Sequence, residues 1–179
     1  MEAIEQEDRA EGEKILKEHP ELLNLRNAYG TFPLLYAVTR QSMEMVDMLL
    51  AAGAEVNQSN RDDSHALAIA VLENHLGLAE RLLKAGANPD RPDRYQATLL
   101  FYCAQNNLAP MAELLLRYGA NPSRRENEGD TPLIYAVMAN ALETAKVLLE
   151  NGADKSARNF DGLNALDKAH HPEMQKLLA

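Results

Sequence analysis

The sequence predicts an all-α protein, a solenoid of stacked helix–turn–helix units, and two repeating features carry this prediction. A glycine followed by alanine recurs every 33 residues, at Gly53, Gly86, Gly119 and Gly152. A pair of leucines precedes each glycine at constant spacing, as Leu49-Leu50 precedes Gly53. A spacing held through four copies is typical of a repeat array, in which neighbouring units must stack to bury their apolar faces.

The composition indicates which kinds of partner and which cellular compartment to expect. Lysine and arginine number 18 against 27 aspartate and glutamate, and the net charge of −9 does not favour nucleic acid or anionic membranes. No run approaches the roughly 20 apolar residues of a membrane span. The acidic N-terminus lacks the apolar core of a signal peptide, and the single cysteine, Cys103, fits a reducing compartment. We therefore expect a cytoplasmic protein that is monomeric by itself.

Residues 1–26 are expected to form an N-terminal capping repeat within a single domain spanning residues 1–179. The segment is strongly charged and helical in character. When Ile15 is aligned with Leu49, Ala3 falls opposite Ala37, so a truncated unit begins close to the first residue. A terminal unit with a polar outer face is what a stacked array needs in order to cover its core.

Four full units follow, each predicted to contain a helix, a turn, a second helix and an extended finger; they cover residues 27–59, 60–92, 93–125 and 126–158. In the first unit, Pro33 falls in the first turn of the first helix, where its missing N–H has no cost. The second helix, residues 43–52, carries one apolar face and ends at Gly53, which is free to adopt positive φ. Pro110 marks the first turn of a second helix in the third unit.

Residues 159–179 are expected to be a shortened C-terminal cap. The stretch from Ala165 to Ala169 matches the start of a first helix. The leucine pair Leu177-Leu178 then comes about four residues too early, after His171-Pro172. The sequence therefore predicts a shortened final pair of helices.

The motif Gly129-Asp130-Thr131-Pro132-Leu133, followed by Leu148-Leu149 and Gly152-Ala153 at this period, resembles the ankyrin repeat. The resemblance covers nearly the whole chain. It implies an L-shaped stack of helix pairs with β-hairpin fingers, whose concave side, lined by fingers and first helices, binds another protein.

The sequence also departs from the family pattern. Only the fourth unit keeps Thr-Pro-Leu, and no unit keeps the family's histidine. In the family, the threonine and histidine form hydrogen bonds that stiffen the turn. Phe32 and His65 occupy the threonine position, and we expect that neither replaces it. The second unit is therefore predicted to be a soft spot.

No catalytic constellation emerges, so we expect neither an enzyme nor a metal or cofactor site. The five histidines lack zinc-site spacing, and the pair His170-His171 is equally compatible with ordinary tail residues. Cys103 falls at a position where alanine packs between helices, which favours a buried thiol over a nucleophile. Asn57 resembles the asparagine that is hydroxylated in some ankyrin fingers, although an ordinary turn asparagine is the favoured explanation.

Binding is therefore assigned to side chains that the repeat leaves free on the fingers and first helices. The predicted contact residues are Tyr29, Tyr36, Arg40, Arg61, Leu72, Arg94, Tyr95, Tyr102, Asn106, Arg125, Tyr135, Met138 and Phe160. Aromatic, methionine and arginine side chains are enriched in binding hot spots. Tyr36, Tyr102 and Tyr135 share one repeat position, a pattern that helix packing alone also explains. The sequence indicates a protein-binding module; alternatively, the chain is a regulatory or inhibitory subunit of a partner enzyme.

Arginines recur in every finger and suggest a partner with an acidic contact surface. They are Arg26, Arg61, Arg91, Arg94, Arg124, Arg125 and Arg158. Arranged as a ladder along one edge, they would capture carboxylates. The competing interpretation is internal ion pairing with finger carboxylates, namely Asp62, Asp63, Asp90, Asp93, Glu126, Glu128 and Asp161.

Overall fold

The computed structural model describes residues 9–179, which form ten α-helices and one 3-10 helix. The chain divides into two compact units, Met1–Asn88 (unit 1) and Pro89–Ala179 (unit 2). Unit 1 contains α1 (Arg9–Glu18), the 3-10 helix (Pro20–Asn24), α2 (Pro33–Thr39), α3 (Met43–Ala51), α4 (Ala66–Leu72) and α5 (Leu76–Lys84). Unit 2 contains α6 (Leu99–Gln105), α7 (Ala109–Arg117), α8 (Pro132–Met138), α9 (Leu142–Glu150) and α10 (Pro172–Leu178). Ala3, which the sequence aligns with Ala37, lies outside the described residues.

The ends of the helices follow the predicted local signals. Pro33 and Pro110 lie in the first turns of α2 and α7. The second helix of each full repeat ends just before a glycine with φ between 86° and 91°, as predicted; these are Gly53, Gly86, Gly119 and Gly152. The first helices end before a polar residue with φ between 50° and 55°; these are Gln41, Asn74, Asn107 and Asn140. Asparagine tolerates this backbone better than most residues.

In unit 1, helices pack in successive layers around the repeated leucines. α2 contacts α3 and α4, α3 contacts α1 and α5, and α4 contacts α5. Leu49 and Leu82, the first members of their leucine pairs, are fully buried. Neither α2 nor α4 is long enough to be stable alone, since isolated helices of fewer than about 12 residues are marginal in water. Packing between neighbouring helix pairs therefore supplies the stability.

Unit 2 repeats this arrangement. α6 contacts α7 and α8, α9 contacts α7 and α8, and α10 contacts α9. The fully buried side chains include Leu100, Met111, Leu115 and Leu148. Cys103 is also fully buried, as predicted, and burial raises the pKa of its thiol to about 12.

The fingers differ from the expected β-hairpins. Residues 9–179 contain no β-strand and show one isolated antiparallel bridge, between Ser59 and His65. Each finger instead closes on a side-chain oxygen: Asn60 Oδ1 accepts hydrogen bonds from the N–H groups of Asp62 (3.0 Å) and Ser64 (2.8 Å). The same pattern occurs at Asn27, Asp93, Glu126 and Asn159. These N–H groups are thereby occupied and do not form a strand ladder.

The sequence predicted a final pair of helices, and the first helix of this pair is absent from the structure. Residues 165–168 form turns, and only α10 is helical. Asn164 and Asp167 exchange hydrogen bonds, because the N–H of each donates to the side-chain oxygen of the other at 3.0 and 2.9 Å. This exchange closes a single turn. Pro172 also disfavours a helical backbone at His171, which is extended.

The expectation that His65 does not replace threonine is also wrong. His65 Nδ1 accepts a hydrogen bond from the Ala68 N–H at 3.3 Å, as Thr131 Oγ1 accepts one from Ile134 at 3.4 Å. Imidazole therefore provides the N-cap of α4 that the hydroxyl provides in α8. Phe32 forms no side-chain cap, as predicted. At Thr98 the hydroxyl is buried and has no hydrogen-bond partner among residues 9–179.

Candidate binding surface

The predicted contact residues fall into an exposed and a half-buried group. Tyr36, Tyr102 and Tyr135 are half-buried against the helices. The other residues are exposed: Tyr29, Arg40, Arg61 and Leu72 in unit 1, and Arg94, Tyr95, Asn106, Arg125, Met138 and Phe160 in unit 2. The largest exposed apolar side chains of unit 2 are Tyr95 (56% exposed), Met138 (55%) and Phe160 (75%).

Three successive fingers of unit 2 are tied together through their backbones. The N–H of Asn127 donates to the carbonyl of Tyr95 at 3.0 Å, and the N–H of Phe160 donates to the carbonyl of Glu128 at 3.1 Å. The Phe160 ring lies directly on Gly129, where an added Cβ would come within 2.8 Å of Cδ1. The side chains of Tyr95, Glu128 and Phe160, called here the finger-tip row, thus belong to neighbouring fingers and are all exposed.

Carboxylates surround Tyr135 on the first helix of the fourth repeat. Burial raises the pKa of Tyr135, and four carboxylates raise it further: Glu126, Asp130, Glu128 and Asp93. The Tyr135 ring also packs edge-on against Phe101, with centroids 5.1 Å apart. Tyr135 therefore contributes to packing, and the electrostatic potential around it is negative.

Two of these carboxylates are buried. Glu126 Oε1 accepts hydrogen bonds from the N–H groups of Glu128 and Asp130, both at 2.9 Å. Asp130 is 3% exposed, and its Oδ1 has no hydrogen-bond partner. Among the residues that the structure describes, no cationic side chain forms an ion pair with either one. The sequence offered one signal for this site, since position 126 carries glutamate where the other fingers carry asparagine or aspartate.

Within each unit, neighbouring repeats pack helix against helix, and in unit 2 the fingers are also hydrogen-bonded to one another. The family model described as ankyrin repeats in three copies matches residues 1–93 and 67–159. The chain belongs to the ankyrin repeat family. No curated protein matches the sequence significantly. Ankyrin repeats are generally protein–protein interaction modules.

The arginines of this ankyrin array occupy several repeat positions. Arg26, Arg125 and Arg158 share one position, Arg61 and Arg94 a second, and Arg91 and Arg124 a third. Seven residues spread over three positions do not form a single row, so the repeat register does not support the predicted ladder.

Two arginines of unit 2 serve the scaffold. The Arg125 guanidinium donates to the carbonyl of Gly129 at 2.8 Å and to that of Arg158 in the next finger. The Arg158 guanidinium donates to the carbonyl of Gly162 and pairs with Asp167 at 3.3 Å. The guanidinium of Arg94 lies 5.0 Å from the Tyr95 ring centroid. Arg125 and Arg158 therefore brace the fingers.

Asn57 connects two ankyrin repeats of unit 1. Its Nδ2 donates to the carbonyl of Gly86 at 3.0 Å, and its Oδ1 accepts from the N–H of Asn88 at 2.8 Å. The residue at the same repeat position in unit 2, Asp90, accepts from the N–H of Asn121 at 2.9 Å. The amide thus has a structural role, which agrees with the favoured interpretation of Asn57 as an ordinary turn asparagine.

The described part of the chain contains no group of three or more histidine, cysteine, aspartate or glutamate side chains arranged to hold a metal ion. Within residues 9–179, every helix is too short or too polar to span a bilayer. The surface features of this ankyrin protein that remain to be explained are therefore the exposed apolar side chains and the carboxylates of unit 2.

Proposed function

We propose that this protein binds a partner protein through its fingers and first-helix ends, chiefly those of unit 2. The observation that carries the proposal is the exposure of Tyr95, Met138 and Phe160, each more than half exposed. Tyrosine, phenylalanine and methionine are enriched in protein interfaces. Aromatic anchors near the centre of an interface contribute much of the binding energy.

The finger connections support this surface as a binding platform. Backbone hydrogen bonds link the finger of Tyr95 to that of Glu128, and the latter to that of Phe160. The side chain of Arg125 adds a second link between the last two fingers. A surface held in place before binding loses little conformational freedom when the complex forms.

The proposal is tested by capturing the partner with the full chain from an extract of the source cells. The test variant combines Tyr95→Ser, Met138→Ser and Phe160→Ser. We expect it to lose the captured protein, because each removed group is one that an interface would bury. The control is Leu76→Ser, which removes an exposed leucine at the start of the second helix α5.

Both variants should melt close to wild type, since all four side chains are exposed. If the folded triple variant captures the same protein as wild type, binding lies elsewhere. An activity assay on a captured enzyme, with and without this chain, would separate a passive binding module from a regulatory or inhibitory subunit.

A further inference from the structure

We propose that the partner segment bound at unit 2 is basic, and that a lysine or arginine side chain of this segment contacts Glu128 between the rings of Tyr95 and Phe160. The inference rests on the proposed function and specifies the chemistry of the partner. The proposed partner is thus basic, whereas the arginines in the sequence suggested a partner with an acidic contact surface.

The finger-tip row combines two aromatic rings with one carboxylate. Tyr95 and Phe160 project from the fingers on either side of the finger that carries Glu128, and all three side chains are exposed. Aromatic faces attract cations and pack against the alkyl stem of lysine or arginine, while a carboxylate pairs with the charged end. An aromatic–acid–aromatic order therefore matches all parts of a basic side chain.

The protein already shows this preference internally. The guanidinium of Arg94 lies 5.0 Å from the centroid of the Tyr95 ring. In this contact, the cation and the ring belong to the same finger, at the Tyr95 end of the finger-tip row. Phe160 rests on Gly129 and is still 75% exposed, so most of its ring is open to a second cation.

Buried carboxylates in the finger that carries Glu128 also favour a basic occupant. Glu126 and Asp130 are buried, and neither has an ion pair within the described residues. The Asp130 Oδ1 atom also lacks a hydrogen-bond partner. The guanidinium of Arg125 donates to backbone carbonyls, and that of Arg158 donates to the Gly162 carbonyl and pairs with Asp167, so neither pairs with Glu126 or Asp130. A buried carboxylate without a cation is costly, and a bound cation nearby reduces that cost.

The same carboxylates would repel an acidic segment. Burial raises the pKa of Tyr135, and Glu126, Asp130, Glu128 and Asp93 raise it further, so their negative potentials add at the Tyr135 hydroxyl in the same repeat as Glu128. Like charges brought together at an interface cost binding energy and exclude wrong partners. Charge complementarity therefore selects a basic occupant.

The test uses the full chain and a random dodecapeptide library displayed on phage. Clones are scored as specific when they bind wild type but not the double variant Tyr95→Ser, Phe160→Ser. We expect the specific clones to be enriched in lysine and arginine relative to the unselected library. A synthetic peptide of the most enriched sequence is then titrated against single variants.

Glu128→Gln should lower the affinity for this peptide by at least about fivefold, the range expected for a cation held by a carboxylate and aromatic rings. The matched control is Glu150→Gln, an exposed glutamate at the end of the second helix α9, which should change binding by less than about twofold. This control separates local recognition from general attraction to an acidic protein.

Specific clones that are acidic or neutral, or equal binding by wild type and Glu128→Gln, would overturn the inference. A library that yields no specific clone would overturn it as well. If the triple serine variant nevertheless loses its natural partner, the proposed function survives and the basic chemistry does not. If the substitutions in the finger-tip row change neither partner capture nor peptide binding, the proposed function and the basic chemistry are both wrong.

Discussion

Two fingers place a residue other than glycine where the turn needs a left-handed backbone. Asp63 and Gln96 have φ values of 60° and 64°, at the position where Gly30, Gly129 and Gly162 serve the other fingers. Gln96→Gly should stabilise the protein by about 0.5–1 kcal/mol, because relief of the left-handed backbone outweighs the added freedom of the unfolded chain. Asp63→Gly should gain less, since aspartate tolerates this conformation better. Urea denaturation measures both changes.

The reverse substitution is the control. Gly162 has φ 78°, and no atom of the described residues lies within 4 Å of where a Cβ would be, so Gly162→Ala tests backbone strain without a steric clash. It should cost about 1 kcal/mol. Equal stability of Gln96→Gly, Gly162→Ala and wild type would show that these turns do not require the assigned geometry.

Cys103 should make the protein sensitive to alkaline pH. Burial raises the pKa of its thiol from 9.0 to about 12 in the folded state. The protonated thiol therefore contributes its full stabilisation of the folded state below about pH 9. The stabilisation is lost as pH rises from about 9 to about 12, because the unfolded chain releases the proton first. At about pH 10.5 the free energy of unfolding should be roughly 2 kcal/mol lower than at pH 8 because of this thiol.

Cys103→Ala is the matched variant, because alanine occupies the same repeat position at Ala37, Ala70 and Ala136. Its unfolding free energy should fall less between the two pH values. Native wild type should also resist thiol labelling, since the group is fully buried. An identical pH dependence for both proteins would contradict this role of the thiol.

At the scale of the elements, the contacts between repeats depend on finger side chains as well as on helix packing. Asn57 makes two hydrogen bonds to the next repeat, to the carbonyl of Gly86 and the N–H of Asn88. Asn57→Ala should cost about 1–2 kcal/mol, the net value of two hydrogen bonds. Asn57→Asp keeps the acceptor, as Asp90 does in unit 2, but loses the donor and should cost less. Chemical denaturation distinguishes the two variants, and an alanine variant as stable as wild type would exclude the bridging role.

The sequence predicted the helices well because their limits depend on local signals. Gly53 and its repeats end the second helices, and Pro33 starts α2 where expected. The fingers and the C-terminal cap were predicted less well, since side-chain hydrogen bonds decide them. The Glu126 side chain closes a finger turn without a strand, and the Asn164–Asp167 exchange leaves a turn where a helix was expected. Spacing alone does not encode which N–H group a side chain will reach.

At the scale of the whole molecule, the repeat register located exposed side chains but not the charge around them. Tyr95 and Phe160 were selected from their finger positions, and the structure shows both exposed. The roles of Arg125 and Arg158 were missed, because each guanidinium reaches a carbonyl that only the folded fingers bring close. A net charge of −9 likewise gives no location for the carboxylates that surround Tyr135.

The central claim, that the finger tips of unit 2 contact a partner protein, is tested most directly by site-specific photocrosslinking. A photoreactive phenylalanine analogue replaces Tyr95 or Phe160 in turn, and as a control it replaces Glu113, an exposed residue of the second helix α7. After irradiation in source-cell extract, mass spectrometry should identify the same crosslinked protein from Tyr95 and Phe160 and none from Glu113. Crosslinks to that protein from Glu113 alone would contradict the claim.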